Sequence, residues 1–427
     1  PQSLPQTEGE LHPTRPQETA YLQFTSGSTR FPRGVIIRQH AVMDNLHGII
    51  QHGLAIGEQD RCTSWLPFYH DMGMVGLLLG PLASQRSVDY LGTRDFAVRP
   101  LQWLRLLSRN GGTVSFAPPF GFDLANRRAR DSDLEGLDLS SWRVAGVGAE
   151  LIRPALLERF AQRFERCGFD HRAFRSCYGL AEASLAVTFA PAGRGLRVDR
   201  TDATAMAESG HASTAAEAST ATRSLVACGG ALPGYEIEIR DAHGNALPER
   251  RTGHITIRGP SVMSGYYNDV SASEEALDPA GWLRTGDLGY LTEDRELVVT
   301  GRHKDLIIIN GRNLWPEDLE QRVEQEREVR SGDASAFAVT TTEGLERVVL
   351  VLQCRLREAA AREDLRARVE GAIRSDFGVN PEVDLVGPHD LPRTSSGKLS
   401  RAAARKAYLA RHGPGPATGV ETAQTGS

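Results

Sequence analysis

Short apolar runs alternate with amphipathic stretches from residue 20 to about residue 190. Strands and helices that alternate along a chain favour a layered fold in which helices cover a sheet. The clearest segments are residues 35–53 and 100–108, with helical spacing, and residues 113–117 and 143–147, which are typical of buried strands. We therefore predict a large α/β domain over residues 20–302.

The second half of the chain has a different pattern. Residues 201–223 are rich in Ala, Ser, Thr and Glu, which predicts a flexible linker, or a helix in part of it because Ala and Glu are good helix formers. Residues 224–260 alternate as strands do. Further on, a helix, two strands and a second helix predict a small mobile α+β domain over residues 305–412. Residues 1–19 and 413–427 have little to bury, so we expect a flexible lead and a disordered tail.

Composition excludes several classes of protein. A chain of 427 residues is too long for one core, so two or more domains are expected. The net charge of -5 argues against a general nucleic-acid binder. No apolar run is long enough to cross a bilayer, and the N-terminus has no signal-peptide core. The five cysteines are scattered without a Cys-x-x-Cys pair, which favours reduced thiols in a cytoplasmic protein over a zinc site or disulfides.

An apolar run at residues 21–24 leads into a loop of hydroxyls, glycines and arginines that ends at Val35. Glycines let the backbone approach a phosphate, N–H groups and hydroxyls donate to its oxygens, and arginines neutralise its charge. The loop lacks the Walker A pattern, and a plain surface turn is the alternative interpretation. The candidate phosphate ligands are Thr25, Ser26, Gly27, Ser28, Thr29, Arg33 and Gly34.

Four further motifs follow this loop in order. They are Tyr-Gly-Leu-Ala-Glu at 178–182, Thr-Gly-Asp at 285–287, Gly-Arg-His-Lys-Asp at 301–305 and Pro-Arg-Thr-Ser-Ser-Gly-Lys at 392–398. With the loop, they resemble the core motifs of the adenylate-forming superfamily, which includes acyl- and aryl-CoA synthetases, adenylation domains and luciferases. Within that superfamily the chain is most similar to fatty acyl-AMP ligases, on the runs at 65–75, 117–120 and 305–313 and an extra segment at 191–223.

The resemblance implies a two-step reaction. A carboxylic acid, by this resemblance a fatty acid, reacts with ATP and Mg²⁺ to give an acyl-adenylate and pyrophosphate. The acyl group then passes to the phosphopantetheine thiol of an acyl carrier protein. The insertion at residues 191–223 is expected to hinder the movement needed for coenzyme A, which argues against the alternative of an acyl-CoA ligase. We expect a monomer.

The resemblance also assigns roles around the nucleotide. Glu182 is the candidate metal ligand, since Mg²⁺ takes carboxylate oxygens and shares them with phosphates. Asp287 offers two acceptor oxygens to the two ribose hydroxyls, with an aspartate in a turn as the alternative. The other expected nucleotide contacts are Gly148, Ala149, Tyr178, Gly179 and Arg302.

Three residues are candidates for the chemical steps. Lys398 is expected to bring an ammonium group to the charge that develops at the carboxylate and α-phosphate. Lys304 is expected to be the hinge about which the small domain rotates, and His70 to line the entrance for the acid. The alternatives are solvated lysines and a histidine that is hydrogen-bonded to Asp71. A carboxylic acid is already ionised at neutral pH, so no general base is required.

The chain departs from the family pattern at its start. Fewer than thirty residues precede the phosphate loop, whereas relatives carry a substantial region there. We therefore expect an N-terminally truncated large domain, and a chain that is unstable or weakly active by itself. A third hypothesis follows, that the chain is a catalytically silent nucleotide-binding module of a larger synthase.

Overall fold

The structure is a computed structural model that describes residues 13–25, 32–217, 219, 221–309, 311–340, 346–394 and 399–413. Its strands are β1 (Thr19–Phe24), β2 (Gly34–Arg38), β3 (Arg61–Ser64), β4 (Ser87–Tyr90), β5 (Val114–Ala117), β6 (Val144–Val147), β7 (Phe174–Gly179), β8 (Ala186–Phe189), β9 (Val198–Asp202), β10 (Thr222–Val226), β11 (Gly230–Ala231), β12 (Glu236–Arg240), β13 (Gly253–Arg258), β14 (Leu283–Leu291), β15 (Leu297–Arg302), β16 (Ile307–Ile309), β17 (Arg312–Leu314), β18 (Ala334–Thr340), β19 (Glu346–Gln353) and β20 (Glu382–Val386).

The α-helices are α1 (Gln39–His47), α2 (Gly80–Ser84), α3 (Thr93–Val98), α4 (Leu101–Asn110), α5 (Pro119–Arg128), α6 (Pro154–Phe164), α7 (Ala203–Ser209), α8 (Val270–Ala276), α9 (Pro316–Val323), α10 (Ala359–Phe377) and α11 (Arg401–His412). Two π-helical segments, Gly48–Gly53 and Met72–Leu79, complete the list of longer helices. Within the described residues, none of these helices has the length and apolar character required to cross a membrane.

A seven-stranded sheet forms the centre of the large α/β part, in the order β11-β8-β7-β6-β5-β3-β4. The strands from β4 to β7 run parallel, and β8 and β11 are antiparallel additions at one edge. Since parallel strands need helical crossovers, this sheet confirms the predicted α/β class. The carboxyl ends of the parallel strands meet at one edge, where such folds bind ligands.

Helix α4 buries an apolar face against this sheet. Trp103 is fully buried, and its indole N–H donates to the Ser115 hydroxyl at 2.8 Å. Its ring packs edge-on against Trp142 at a centroid distance of 5.2 Å. Burying an aromatic side chain of this size stabilises the fold by about 2–3 kcal/mol. The helix predicted at residues 100–108 is thus confirmed, with the rigid core directly behind the strands that carry the site.

The helix predicted at residues 35–53 is wrong at its beginning. Residues 34–38 form β2, which pairs with β1 so that Phe24 faces Gly34. Val35 and Ile37 alternate into the core with no exposed surface, which is a strand period. The helix α1 begins only at Gln39. The prediction was wrong there because β2 is followed directly by α1, so the apolar residues of both elements were taken for one helical pattern.

The linker interpretation of residues 201–223 is also wrong. The segment folds as β9, α7 and β10, with the two strands paired antiparallel from Asp202–Thr222 to Val198–Val226. The partial helical interpretation is confirmed by α7. Met206 and Ala212 are fully buried in a small apolar cluster with Tyr290 and Trp315. Small side chains can be buried completely, so a low content of large apolar residues did not mean disorder here.

The C-terminal α+β segment has its own sheet, β18-β19-β20, with β18 and β19 antiparallel and β19 and β20 parallel. Helix α10 buries Leu365, Val369 and Ile373 in one apolar cluster. Helix α11 buries Tyr408 in a second cluster with Phe337. The predicted helix–strand–strand–helix pattern is present, and the assignment of Lys304 as a hinge stays a prediction.

Candidate active site

A cavity of about 1580 Å³ opens at the carboxyl edge of the seven-stranded sheet and extends toward β14, β15 and the start of α11. Most of the residues predicted to form the site line it. They are Thr25, Arg33, His70, Ala149, Tyr178, Gly179, Glu182, Asp287, Arg302 and Lys304. Gly34 and Gly148 lie beside the cavity, and Ser26, Gly27, Ser28, Thr29 and Lys398 lie outside the described residues.

The base of the predicted phosphate loop is fixed by the β1–β2 pair. The Thr25 N–H donates to the Arg33 carbonyl at 2.9 Å, and the Arg33 N–H donates to the Thr25 hydroxyl at 3.3 Å. Gly34 begins β2, and a Cβ there would lie 3.4 Å from both the Phe24 ring and the Tyr267 Cβ. The backbone therefore holds Thr25 and Arg33 side by side at the cavity wall.

Glu182 is held by a residue that the sequence did not single out. The Tyr266 hydroxyl donates to Glu182 Oε1 at 2.8 Å. The Arg33 guanidinium carbon lies 5.2 Å from the centroid of the Tyr266 ring, and Arg33 Nε lies 3.5 Å from Asp269. Burial raises the pKa of Glu182, the Tyr266 hydrogen bond opposes this, and the charge of Asp71 raises it further.

Tyr266 is positioned by the chain that runs beside β2. The Ile36 N–H donates to the Gly265 carbonyl at 3.0 Å, and Val35 forms a β-bridge with Tyr266. The Met263 N–H donates to the Glu182 carbonyl at 2.7 Å, which ties the same segment to the metal-ligand candidate. One short segment thus joins the base of the phosphate loop to Glu182.

Asp287 forms the second acidic point of the cavity. Its Oδ2 accepts a hydrogen bond from the Tyr178 hydroxyl at 2.8 Å, and Arg302 Nε lies 3.5 Å from its Oδ1. Asp287 and Arg302 are register partners on β14 and β15. Burial raises the pKa of Asp287, and Arg302 and Tyr178 act against that increase. The structure brings these three predicted residues together, and their roles at the nucleotide stay predictions. The sequence did not indicate the Tyr178–Asp287 bond.

Two glycines permit the close backbone approach around Tyr178. A Cβ at Gly179 would lie 1.9 Å from the Leu185 carbonyl oxygen, and one at Gly148 would lie 2.8 Å from the Cys177 carbonyl oxygen. Ala149, which follows Gly148, has a φ of 68°, which is unusual for a residue with a side chain. Such backbone strain is typical of ligand sites.

His70 and Asp71 form a pair at the cavity wall. His70 Nδ1 lies 2.6 Å from Asp71 Oδ1, so the alternative interpretation of a histidine bonded to Asp71 is confirmed. Asp71 Oδ1 also accepts from the Met72 N–H at 2.7 Å, at the start of the π-helical segment Met72–Leu79. His70 also lines the cavity, and its role at the acid entrance stays a prediction.

Lys304 lines the same cavity, as does Arg302 at the end of β15. Burial lowers the pKa of the Lys304 ammonium, and Arg302 lowers it further while Asp305 opposes this. Thr394 and Leu399, which flank the undescribed residues that include Lys398, also line the cavity. The described residues on both sides of positions 395–398 therefore border the site.

Arg401, which the sequence analysis did not single out, anchors the chain just after residues 395–398. Arg401 binds Glu320 through two contacts of 2.7 Å and Glu317 at 2.8 Å. It also lies 3.3 Å from Asp305, next to Lys304. Glu317 and Glu320 on α9 are three residues apart and lie on one face of the helix, and this spacing is the sequence signal that could have indicated a shared basic partner.

One side of the cavity is apolar. Phe116 on β5 and Phe189 on β8 meet edge to face at a centroid distance of 6.4 Å. The Phe116 ring lies over Gly146, where a Cβ would be only 2.0 Å from its Cε1. The apolar lining on this side includes Ile49, Leu54, Phe116, Leu185, Phe189 and Cys228. One cavity therefore presents half-buried carboxylates and more exposed cations on one side and a hydrocarbon surface on the other.

Comparisons with known proteins show the family of this chain. The model of the AMP-binding enzyme family matches residues 2–267. A putative acyl-CoA synthetase of Caulobacter vibrioides (strain NA1000 / CB15N) is 46% identical over 409 residues, which cover 95% of this chain and 71% of that protein. The long-chain-fatty-acid–AMP ligase FadD23 of Mycobacterium tuberculosis (strain CDC 1551 / Oshkosh) is 35% identical, over 92% of this chain and 69% of that protein.

The fold agrees equally well with solved structures. A structure from a study of fatty acyl-adenylate ligases from E. coli and L. pneumophila superposes with a TM-score of 0.89 and is 50% identical, covering 96% of this chain and 72% of that one. The predicted superfamily resemblance and fold class are thereby confirmed. The chain belongs to the AMP-binding enzyme family, the adenylate-forming ligases that activate acids as acyl-adenylates.

Proposed function

We propose that this chain forms an acyl-adenylate from a fatty or related carboxylic acid and ATP, and passes the acyl group to the phosphopantetheine thiol of a carrier protein. The observation that carries the proposal is the two-sided cavity. Glu182, Asp287 and Lys304 supply charge at one side, and Phe116 and Phe189 supply an apolar wall at the other. A nucleoside triphosphate matches the charged side, and an apolar acid matches the hydrocarbon side.

The nucleotide would be held by residues with complementary chemistry. Asp287 supplies carboxylate oxygens suited to two vicinal hydroxyls. Thr25 and Arg33, at the base of the loop, suit phosphate oxygens, because a hydroxyl donates and a guanidinium donates and neutralises. Tyr178 shapes the wall between them and fixes Asp287 through its hydroxyl.

Glu182 would hold Mg²⁺ together with the phosphates. Among the described residues, no three His, Cys, Asp or Glu side chains gather as a metal cage. A cation at Glu182 therefore needs oxygens from a ligand, as Mg²⁺ commonly does at triphosphates. When bound, Mg²⁺ neutralises phosphate charge.

The adenylation step needs positioning and charge neutralisation. A carboxylate oxygen of the acid attacks the α-phosphorus, a P–O bond forms, and the bond to the departing pyrophosphate breaks. The proposal assigns Arg33 to the leaving pyrophosphate and Lys398 to the charge between carboxylate and α-phosphate. No proton has to be removed from the attacking group.

A contact between the inserted segment and the C-terminal segment favours a carrier thiol over coenzyme A. Arg223 lies 2.8 Å from Asp318 on α9 and donates to the Thr300 carbonyl at 2.8 Å. These bonds fasten β10 to α9, and they resist a rotation of the C-terminal segment. Since relatives carry both acyl-CoA synthetase and acyl-AMP ligase names, this contact is the feature that favours the second.

The test is carboxylate-dependent ATP–pyrophosphate exchange with a panel of acids, followed by acyl transfer to coenzyme A and to a carrier protein offered separately. We expect exchange with apolar acids and transfer to the carrier alone. Lys398→Ala should reduce exchange by about a hundredfold or more, whereas Lys406→Ala, an exposed lysine on α11, should not.

Three results would overturn parts of the proposal. Exchange that survives Lys398→Ala would remove the assigned role of that lysine. Rapid consumption of the acyl-adenylate by coenzyme A would favour an acyl-CoA ligase. ATP binding without exchange for any acid, in a chain extended to the length of its relatives, would favour a silent nucleotide-binding module.

A further inference from the structure

Arg175 on β7 is a buried cation that the proposed reaction does not use. The residue is 6% exposed. Its Nε donates to the Ala190 carbonyl at 2.9 Å. Its Nη1 is enclosed and has no hydrogen-bond partner among the described residues. Within that part of the chain it forms no ion pair, although unpaired charged groups are rarely buried.

The guanidinium lies behind the apolar wall of the cavity. Arg175 is the register partner of Gly146 on β6, and Gly146 in turn faces Phe116 on β5. The missing side chain at Gly146 leaves the space that the Phe116 ring occupies. On the other side, the Arg175 guanidinium carbon lies 5.9 Å from the centroid of the Phe189 ring. Arg175 therefore sits at the level of both rings that close the apolar side.

The surroundings of Arg175 add no compensating charge. Burial and, to a smaller extent, the positive charge of Arg143 together lower its pKa to about 10, so the group is still charged at neutral pH. Arg143 is already paired with Asp60 at 2.5 Å. An apolar residue in place of Arg175 would fill the same space without the cost of desolvating a charge. The retained cation therefore points to a polar ligand.

We propose that Arg175 selects acids that carry an oxygen atom at the distal end of the acyl chain, as a hydroxyl, a carbonyl or a carboxylate. This inference rests on the proposed function, because it names the class of acid that the same cavity accepts. The distal oxygen accepts a hydrogen bond from Nη1, while the intervening methylene groups contact Phe116 and Phe189. A plain alkyl end leaves Nη1 without a partner, and that difference discriminates between the two acids.

Phe189 controls access to the guanidinium. Its ring lines the cavity and packs tightly on Gly53, where a Cβ would lie 2.6 Å from the ring carbon Cε2. The distal oxygen reaches Nη1 when this ring turns aside. Phe189→Ala should therefore raise the rate with distally oxygenated acids, and raise it less with plain acids.

The experiment compares plain alkyl acids with ω-hydroxy and ω-carboxy acids of equal length, over several lengths, by kcat/KM for ATP–pyrophosphate exchange. Calorimetric binding of the matching acyl-sulfamoyl adenosines provides a measure that does not need turnover. The variants are Arg175→Met, which keeps the length of the side chain, and Arg175→Lys, which keeps its charge. Arg172→Met is the matched control, since Arg172 is an exposed arginine just before the same strand.

We expect the unaltered protein to prefer an oxygenated acid by about tenfold or more at its best length, Arg175→Met to abolish that preference, and Arg175→Lys to retain part of it. Arg172→Met should keep the full preference. Equal use of both acid types, or a preference that Arg175→Met leaves intact, would overturn the inference. If no acid supports exchange, the proposed function fails, and the binding of the two sulfamoyl adenosines still decides the selectivity. Should Arg175→Met not fold, a preference unchanged in Arg175→Lys and Phe189→Ala would overturn it.

Discussion

The guanidinium carbon of Arg223 lies 4.2 Å from the centroid of the Trp315 ring, so the end of the inserted segment packs directly on the residue that precedes α9. Arg223 is almost fully buried, and its partner is Asp318, whose pKa burial raises. Arg223→Met should lower the free energy of unfolding by about 3 kcal/mol, because it leaves a buried carboxylate unpaired. Urea denaturation measures the change.

A second variant separates the lost pair from general damage. Replacing both partners, as Arg223→Met with Asp318→Leu, should recover much of the stability, since an apolar pair needs no desolvation of charge. Arg200→Met, on the exposed side of β9, should change the free energy by less than about 0.5 kcal/mol. An Arg223→Met protein as stable as the unaltered chain would contradict the inferred fastening.

Tyr266→Phe should weaken the use of Mg²⁺ by removing the hydroxyl that orients Glu182. Hydrogen bonds to charged groups contribute about 1.5–3 kcal/mol, so we expect an increase of about tenfold or more in the Mg²⁺ concentration needed for half-maximal exchange. Calorimetric ATP binding at several Mg²⁺ concentrations is the second measurement. Tyr267→Phe alters the adjacent, exposed tyrosine and is the control. Equal Mg²⁺ dependence in both variants would show that Tyr266 does not orient Glu182.

Arg401→Lys should impair adenylation and stability together. The planar guanidinium contacts Glu320 twice and also reaches Glu317. A lysine cannot reproduce this fork, so we expect a loss of about 2–3 kcal/mol in unfolding free energy and slower exchange. Denaturant unfolding and exchange rates on the same preparations check both effects. Lys406→Ala leaves this cluster intact and should change neither quantity. Unchanged stability and exchange in Arg401→Lys would show that the Arg401 guanidinium is not required as an anchor.

Asp60 should contribute a pH-dependent share of stability. Burial alone would raise its pKa, but hydrogen bonds from Arg143, Thr113 and the Gly57 N–H lower it to about 2. A lowered folded-state pKa gives stability that is present above the unfolded value near 3.8 and is lost as the pH falls toward 2. After allowance for solvent screening, about 1–2 kcal/mol is expected.

Unfolding measurements between pH 7 and about pH 2 test this sign. Asp60→Asn should be less stable at pH 7 and should lose less stability on acidification than the unaltered chain. Asp44→Asn, at an exposed aspartate on α1, should follow the unaltered protein at every pH. Parallel curves for Asp60→Asn and the unaltered chain would contradict the assignment.

Local motifs were enough to predict many of the residues that line the cavity. Glu182 and Asp287 were singled out because the runs at 178–182 and 285–287 resemble motifs of the adenylate-forming superfamily, and the structure places both residues at one cavity. Tyr266 escaped prediction because its partner lies 84 residues away in the chain. Nothing in the spacing of a single sequence records such a contact. The same holds for Arg175, whose significance depends on the absence of a carboxylate among its described neighbours.

Secondary structure was predicted correctly where the apolar spacing of one element extended over many residues. The prediction failed where the patterns of two neighbouring elements overlapped. Helix α4 and strands β5 and β6 followed from apolar spacing within one element. The segment at residues 201–223 was misjudged because its burial depends on a distant aromatic ring, Trp315, rather than on large apolar residues of its own. The composition of a segment shows which apolar side chains it contains, but it does not show which distant side chains it packs against.

Phe116 and Gly146 share one limited space, so the side-chain size at one position restricts the size at the other. A ring at Phe116 forbids even a methyl group at Gly146, and a smaller residue at Phe116 would permit one. Variation at these two sites is therefore expected to be correlated. Anyone who redesigns the range of acids should exchange both residues at once, because libraries that vary either position alone sample mostly clashes or voids.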